Sequence, residues 1–302
     1  MDMIMEYGSI EDIPIYNCTG VSTFGKKRVT IGIVSMTYGT IMCILFLPCL
    51  RTMLLPDLFK LSCYKIMFYV GVVDVLALIM NSIFTGWLAY HGAVYCTYPE
   101  WIYLFGSAGL SLWCCSCLAN ILLLINRILH FKNQQLAEKV FGGQRTFVLL
   151  LAPTFYGLYF LFFTKPVLFT SVYYAWFFDP FIFQNRANDY INLLHSFNNI
   201  AIVILTCILY MYVGCMVIGE WKKTGTTVKK SNNILHQALV ICALDQFSST
   251  VYVAMNIIEM PEWTIVVAQY FWQSAHGFPV ITYLTMNPTI RSRFFTIFLT
   301  RH

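Results

Sequence analysis

The chain has 302 residues, of which 58% are hydrophobic, 17% aromatic and only 11% charged. Soluble domains carry about 25% charged residues, so this composition excludes a soluble enzyme, a nucleic-acid-binding domain and a disordered chain. The net charge of +5 is modest, and its distribution along the chain is more informative than its size. The composition predicts one integral membrane domain with lipid as its surroundings.

Residues 1–28 form a polar tail at the start of the chain. They carry Asp2, Glu6, Glu11 and Asp12 and have no apolar core of the kind that defines a signal peptide. A transmembrane helix needs about 20 apolar residues, and seven such runs follow the tail. We therefore expect an all-α membrane protein built as a seven-helix bundle. The predicted bundle covers residues 29–286, with spans at 29–50, 66–89, 101–125, 146–163, 191–218, 234–258 and 264–286.

The basic residues predict the orientation of this bundle. With the N-terminus outside, the cytoplasmic segments hold 14 Lys and Arg residues and the outer segments hold five. Because cytoplasmic loops carry an excess of Lys and Arg, we expect a rhodopsin-like topology with the N-terminus outside. Residues 287–302 are then a cytoplasmic tail. Ile290, Phe294 and Phe298 repeat every four residues there, which predicts a short amphipathic helix along the inner membrane interface.

The loop between the fourth and fifth spans allows an alternative. Residues 166–183 are apolar enough to suggest an eighth span, but they contain Asp179 followed by Pro180. An Asp costs about 2.5–3.5 kcal/mol at the centre of a membrane helix, and an eighth span would move the Lys222–Lys230 cluster outside. We therefore expect residues 164–190 to be an outer loop with nine aromatic residues, suited to the membrane interface or to a lid.

Short motifs narrow the class of seven-helix protein. Asn126-Arg127 at the inner end of span three resembles the Asp/Glu-Arg-Tyr motif of rhodopsin-like receptors. Asn287-Pro288 resembles the first half of their Asn-Pro-x-x-Tyr motif, and Asp74 resembles the acidic residue of their second span. The acid and the Tyr of the first motif, the Tyr of the second and the proline of span six are missing.

These departures are typical of nematode serpentine chemoreceptors, and the chain resembles their class T. The motifs that carry the resemblance extend over residues 14–295. They are Tyr16-Asn17-Cys18, Cys63-Tyr64-Lys65 with Gly71 and Asp74, the run Ala175–Pro180 and the run Asn287–Arg291. The resemblance implies a G-protein-coupled receptor for an unidentified small molecule, in the plasma membrane of sensory neurons. It implies no cofactor.

The resemblance also suggests which residues contact a G protein. We expect Asn126 and Arg127 to take part, because they end span three on the inner side. The lysine pairs Lys222-Lys223 and Lys229-Lys230 lie in the loop between spans five and six and are expected to take part as well. The alternative is that these lysines only fix the orientation of the bundle.

Polar residues within the spans recur at helical spacing, which places them on shared faces toward the bundle. Those near the outer ends are expected to line a ligand cavity: His195, Asn199, Tyr252, Asn256, Gln269 and Gln273. Those at middle or inner depth are expected to form a packing and switching network: Asp74, Asn120, Asp245 and Asn287. The alternative for both sets is bonding between helices, worth about 0.6 kcal/mol per contact. Protonation and a bound sodium ion are alternatives at Asp74.

Two cysteines lie in the outer segments among eleven in the chain. Rhodopsin-like receptors tie the outer end of span three to the second outer loop by a disulfide, but that loop contains no cysteine here. We expect Cys96 to pair instead with Cys18, and the alternative is two free thiols. Asn17-Cys18-Thr19 is also a glycosylation sequon. The run Cys114–Cys117 lies in an apolar helix and is interpreted as small-residue packing, so no metal site is expected.

Enzyme chemistry finds no support in the motifs. The sequence has no phosphate-binding glycine loop, no His-Glu-x-x-His and no nucleophile elbow. Two other functions compete with the receptor hypothesis. A seven-span transporter is often built from two similar three-helix halves, which the sequence does not show. A channel subunit of opposite topology conflicts with the distribution of Lys and Arg.

Overall fold

The computed structural model describes residues 2–224, 232–255, 258 and 260–299. This part of the chain is mostly helical, and twelve α-helices lie within it. In chain order they are α1 (Asp2–Tyr7), α2 (Val29–Met53), α3 (Pro56–Phe59), α4 (Ser62–Leu78), α5 (Thr85–His91), α6 (Pro99–Lys132), α7 (Gln134–Phe141), α8 (Arg145–Phe163), α9 (Leu193–Thr224), α10 (Asn232–Met255), α11 (Glu262–Met286) and α12 (Pro288–Leu299). A π-helical segment, Ile79–Phe84, joins α4 to α5 without a break.

Seven long helical segments form one bundle, as the sequence predicts, with α4 and α5 together making the second. Helix α6 is at its centre and contacts α4, α8, α9 and α10, while α11 packs between α2, α4 and α10. Residues 2–28 lie at one end of the bundle, which we call the tail end. Helices α3, α7 and α12 lie at the other, which we call the opposite end.

Six of these segments in the described chain are long and apolar enough to cross a membrane. The qualifying ranges are Val29–Met53, Ser62–His91, Pro99–Lys132, Arg145–Phe163, Leu193–Met216 and Leu235–Met255. The seventh, α11, is 25 residues long but less apolar, because Gln269, Gln273 and His276 occupy its buried face. Its polar side chains are turned into the bundle, where other side chains bond them.

Each predicted span corresponds to one helical segment of the described chain, with bounds that differ by a few residues; α9 begins at Leu193 rather than at 191, and the two largest extensions lie at the opposite end. Helix α6 continues seven residues past 125 to Lys132, and α9 ends at Thr224 rather than at 218. A hydropathy run ends where charged residues begin, whereas helical hydrogen bonding continues through them. Helix α12 follows the bundle, and Ile290 is fully buried against it; the side chains of residues 295–299 lie outside the described part.

The predicted outer loop after α8 contains a short antiparallel pair of strands within the otherwise helical fold. Strands β1 (Leu168–Thr170) and β2 (Ala175–Phe177) pair antiparallel, with Phe169 opposite Trp176. We call residues 168–177 the hairpin. Its turn ends at Tyr174, whose φ is 55°, in the left-handed region where a bulky residue is rare. An aromatic-rich sequence does not predict that conformation.

Small residues allow α2 to approach α5 closely. A Cβ on Gly32 would lie 2.6 Å from the Gly86 carbonyl oxygen, and a Cβ on Gly86 would lie 2.6 Å from that of Gly32. Glycines at such a crossing let two helix backbones pack directly in a membrane. The first two spans are therefore held in contact along the tail-end half of the bundle.

Candidate functional site: a cavity beneath the hairpin

The N-terminal tail covers the tail end of the bundle. A disulfide bond joins Cys18 to Cys96, with 5.6 Å between the Cα atoms, and so holds the tail to the segment that enters α6. Tyr16 is 1% exposed, and its ring lies 5.4 Å from that of Tyr103 and 5.7 Å from that of Tyr190. The tail is thus a packed part of the structure.

Arg28 fixes the hairpin to the bundle. Its side chain is buried, and its Nε donates a hydrogen bond to the Ser171 carbonyl at 2.6 Å. Its Nη2 donates to the Val172 carbonyl and to the Glu262 carboxylate. Lys26 is a second partner of Glu262 at 3.4 Å. The Arg28 guanidinium holds the pKa of Glu262 below its usual value.

The hairpin also lies directly against the bundle. The Ser171 amide donates to the Ala93 carbonyl at 3.0 Å, and Trp176 Nε1 donates to Thr85 Oγ1 at 2.9 Å. A Cβ on Gly106 would lie 1.7 Å from the Val167 carbonyl oxygen. The strand therefore reaches α6 only because residue 106 has no side chain.

A cavity lies between the hairpin and the helices. Its empty volume is about 620 Å³, including the space open at its mouth. Most of its wall is aromatic or aliphatic, and polar groups are few. The lining residues are Leu110, Trp113, Val167, Trp176, Phe177, Phe178, His195, Tyr252, Met255 and Trp272. A concave, mostly apolar site with a few polar groups is typical of small-molecule binding.

Two of the six predicted ligand-binding residues, His195 and Tyr252, line this cavity. Asn199 lies behind the wall, where its Oδ1 accepts a hydrogen bond from Trp113 Nε1 at 3.0 Å and its side-chain amide faces His195 Nε2 at 3.3 Å. Asn256 lies outside the described residues. The sequence analysis did not assign the tryptophans and phenylalanines of the wall to a ligand site, because aromatic residues are common throughout this chain.

Gln269 and Gln273 are not part of the cavity wall, contrary to the sequence-based expectation. Their Nε2 atoms donate to the Asn81 carbonyl at 3.2 and 3.0 Å, and Gln273 Nε2 also lies within hydrogen-bond reach of Ser35 Oγ and Tyr174 Oη. Asn81 lies in the π-helical segment, whose wider turn changes the pairing of the backbone carbonyls. The two glutamines therefore bond an irregular stretch of helix rather than facing the cavity.

Three of the four predicted network residues are joined below the cavity. Asn120 Nδ2 donates to Asp245 Oδ2 at 2.7 Å and to Ser116 Oγ at 3.4 Å. Ser116 Oγ donates to Asp74 Oδ1 at 3.3 Å, and His276 Nδ1 lies 2.8 Å from the same oxygen. His276 follows Gln269 and Gln273 at helical spacing on α11, but the sequence did not indicate that it pairs with Asp74.

Asn287, the fourth, is not bonded to this group. Its Oδ1 accepts a hydrogen bond from the Ile290 amide at 3.1 Å, which is the geometry of a helix N-cap. The expected role of Asn287 in the network is thus replaced by a role at the start of α12. An Asn that precedes Pro is a common helix start, so the sequence did contain this signal.

Trp113 joins the cavity to the buried polar group. It lines the cavity, and its ring contacts that of His276 edge to face with 5.9 Å between the centroids. Trp272, another wall residue, lies one helical turn before His276 on α11. One side chain and one turn of helix therefore connect the cavity wall to the Asp74–His276 contact.

The residues expected to couple to a G protein lie at the opposite end. Asn126 is buried, and its Nδ2 donates to Ser62 Oγ at 2.9 Å. Arg127 is half-buried, with Nε donating to Asn126 Oδ1 at 3.0 Å. Lys222 is exposed near the end of α9. The side chain of Lys223, and Lys229 and Lys230 entirely, lie outside the described residues.

The predicted glycosylation sequon lies in the N-terminal tail, and the cysteine run lies within α6. Asn17 is half-buried in the tail, with Nδ2 donating to the Glu11 carbonyl at 3.0 Å. The thiols of Cys114, Cys115 and Cys117 are buried and unbridged. Within the described residues, no group of three His, Cys, Asp or Glu side chains could hold a metal ion.

A family model described as serpentine type 7TM GPCR chemoreceptor Srt matches residues 3–302. The chain belongs to this family. It is also 26% identical over 290 residues to serpentine receptor class T-55 of Caenorhabditis elegans, an alignment that covers 92% of this chain and 79% of that relative. The resemblance inferred from the sequence motifs is therefore confirmed.

As a member of the Srt family, the protein is a multi-pass membrane protein of a chemoreceptor class. The family is one of receptors rather than of enzymes. The seven long helical segments of the bundle agree with its seven-transmembrane description. Family membership does not identify the ligand of this Srt receptor. The chemistry of the cavity wall is the evidence for the class of ligand.

Proposed function

We propose that this protein is a chemosensory receptor that binds a small molecule in the cavity beneath the hairpin and signals to a heterotrimeric G protein at the opposite end. The observation that carries the proposal is the cavity itself, an apolar chamber roofed by the hairpin and floored by bundle residues. Its wall includes Trp113, which contacts the buried polar group.

The proposal includes an orientation with the tail end outside the cell. The bias of Lys and Arg toward the segments of the opposite end supports it. A disulfide between Cys18 and Cys96 belongs to an oxidising compartment, which agrees with an outer tail end. Glycosylation of Asn17 and residence in the plasma membrane of sensory neurons are parts of the same proposal.

The mechanism we propose is a ligand-dependent shift between two packings of the bundle. A ligand can shift such an equilibrium only through contacts that differ between the two states. Contact with Trp113 and Trp272 would bias the position of His276 relative to Asp74, and α6 and α11 would carry the change to the opposite end. There, Arg127 would bond carbonyl groups of the G protein.

An exchange assay with a variant of Arg127 tests this mechanism. In receptor reconstituted with G protein, Arg127→Ala should lower agonist-stimulated nucleotide exchange about 10–150-fold, since a hydrogen bond to a charged group is worth about 1.5–3 kcal/mol. Agonist binding should be retained. Lys132→Ala is the control, because Lys132 lies at the same end but is exposed and bonds Tyr212. Normal exchange by the Arg127 variant would refute the role of Arg127.

A further inference from the structure

The wall of the cavity carries no full charge. Among its ten lining residues in the described chain there is no Asp, Glu, Lys or Arg. A charged group placed there would lose its hydration without gaining an opposite charge, which is costly in an apolar site. The cavity therefore selects against ions and favours uncharged molecules.

Most polar groups of the wall already have partners. Trp176 Nε1 donates to Thr85 Oγ1 at 2.9 Å, and Trp113 Nε1 donates to Asn199 Oδ1 at 3.0 Å. The hydroxyl of Tyr252 bonds Gln269 Oε1 at 3.4 Å. These three side chains thus present mainly their rings to the cavity.

Two polar atoms that belong to residues of the wall have no partner in the described chain. They are Nε1 of Trp272 and Nδ1 of His195, both shielded from solvent. The two residues are 6% and 7% exposed. Buried polar groups are almost always hydrogen-bonded, so each such atom calls for an explanation.

Both atoms are donors. An indole nitrogen can only donate. For His195, the neighbouring Asn199 determines which nitrogen carries the proton, because Asn199 Oδ1 already accepts from the indole of Trp113. The amide nitrogen of Asn199 must then face His195 Nε2, 3.3 Å away. Since that amide donates, Nε2 accepts, and the proton of the neutral ring lies on Nδ1.

We infer that the ligand is a small, uncharged, largely apolar molecule with a hydrogen-bond acceptor, such as a carbonyl oxygen or an aromatic ring nitrogen, and that Trp272 Nε1 and His195 Nδ1 donate to it. This inference rests on the proposed function. It follows from two observations: the two donors lack an acceptor, and their residues line a wall that is aromatic and uncharged. A site with unpaired donors discriminates strongly against an analogue that lacks the acceptor.

Four matched probes test the chemical class. They share a benzene ring and differ in one group: acetophenone has a carbonyl acceptor, ethylbenzene has none, benzoate is an anion and benzylammonium is a cation. Binding is measured by equilibrium dialysis against receptor in nanodiscs, with empty nanodiscs as the blank for partition into lipid. Acetophenone should bind at least about tenfold more tightly than ethylbenzene, and the two ions should not bind above the blank.

Two variants test the donors. Trp272→Phe and His195→Phe keep an aromatic ring but remove the N–H, so each should reduce the preference for acetophenone over ethylbenzene toward unity. Trp263→Phe is the matched control, because Trp263 lies on the same helix as Trp272, is 69% exposed and is not among the residues that line the cavity. This control should keep the preference. Having two independent variants keeps the test decisive if one of them does not fold.

Three results would overturn the inference: equal binding of ethylbenzene and acetophenone, tighter binding of either ion, or no binding of acetophenone at millimolar concentration. A preference unchanged in both donor variants would do the same. The proposed function is judged separately. If a charged agonist drives nucleotide exchange through this cavity, the ligand class is wrong and the receptor function stands.

Discussion

Asp74 and His276 meet at the centre of the bundle, where neither side chain is reached by solvent. Asp74 is 0% exposed and His276 is 1% exposed, and Oδ1 and Nδ1 are 2.8 Å apart. Breaking a buried ionisable pair by removing one partner leaves the other uncompensated. Loss of this contact should therefore destabilise the bundle.

We expect His276→Phe to lower the free energy of unfolding by about 3–5 kcal/mol, because Asp74 would keep only Ser116 as a hydrogen-bond partner among the described residues. Thermal unfolding of the receptor in detergent checks this. His91→Phe is the control, since His91 is exposed at the end of α5. Adding Asp74→Leu to His276→Phe should restore part of the loss, because no unpaired acid would remain. An unchanged unfolding temperature in the single variant would contradict the assignment.

At the residue scale, the sequence predicted well which helix faces are polar. It predicted less well which groups those polar side chains contact. Helical spacing placed His195 and Tyr252 correctly toward a cavity, because the cavity lies along those faces. It assigned Gln273 to the same cavity, whereas Gln273 bonds the carbonyl of Asn81. A π-helical turn changes which carbonyls need a donor, and no local motif marks that turn in the sequence.

The hairpin is the element that encloses the cavity, and its position depends on α6. Val167 and Trp176 contact the space that a side chain at Gly106 would fill. Arg28 holds the other end of the hairpin through the turn. The sequence predicted an aromatic loop suited to a lid, but the strand pairing depends on contacts with distant segments and could not be predicted locally.

Gly106→Ala should therefore displace the hairpin. Overpacking of this kind costs about 1–3 kcal/mol, so we expect amide hydrogen exchange in the hairpin to become about 5–150-fold faster. Gly214→Ala is the matched control, since a Cβ at Gly214 would meet no other atom within 4 Å. Mass spectrometry of residues 168–177 reads out the effect. Equal exchange in both variants would show that the hairpin does not depend on this contact.

For the whole molecule, composition and charge predicted the architecture because lipid leaves few choices. A chain with seven apolar runs satisfies its backbone hydrogen bonds in the membrane by forming helices. These helices must bury their polar faces against one another. The disulfide between Cys18 and Cys96 was predicted because these are the two cysteines of the predicted outer segments, and the structure contains it. The sequence predicted a cavity near the outer ends of the spans but not its aromatic wall, since that wall comes from the hairpin region and from four helices that are far apart in the sequence.

The central claim is that a ligand in the cavity beneath the hairpin controls signalling at the opposite end. The most direct test is agonist-stimulated nucleotide exchange by Leu110→Trp, which would fill the cavity from its wall. Leu158→Trp is the control, because Leu158 is 39% exposed on the outer surface of the bundle. At equal surface expression, we predict that agonist potency falls by at least about tenfold in the first variant and is unchanged in the second. Full potency in Leu110→Trp would contradict the account.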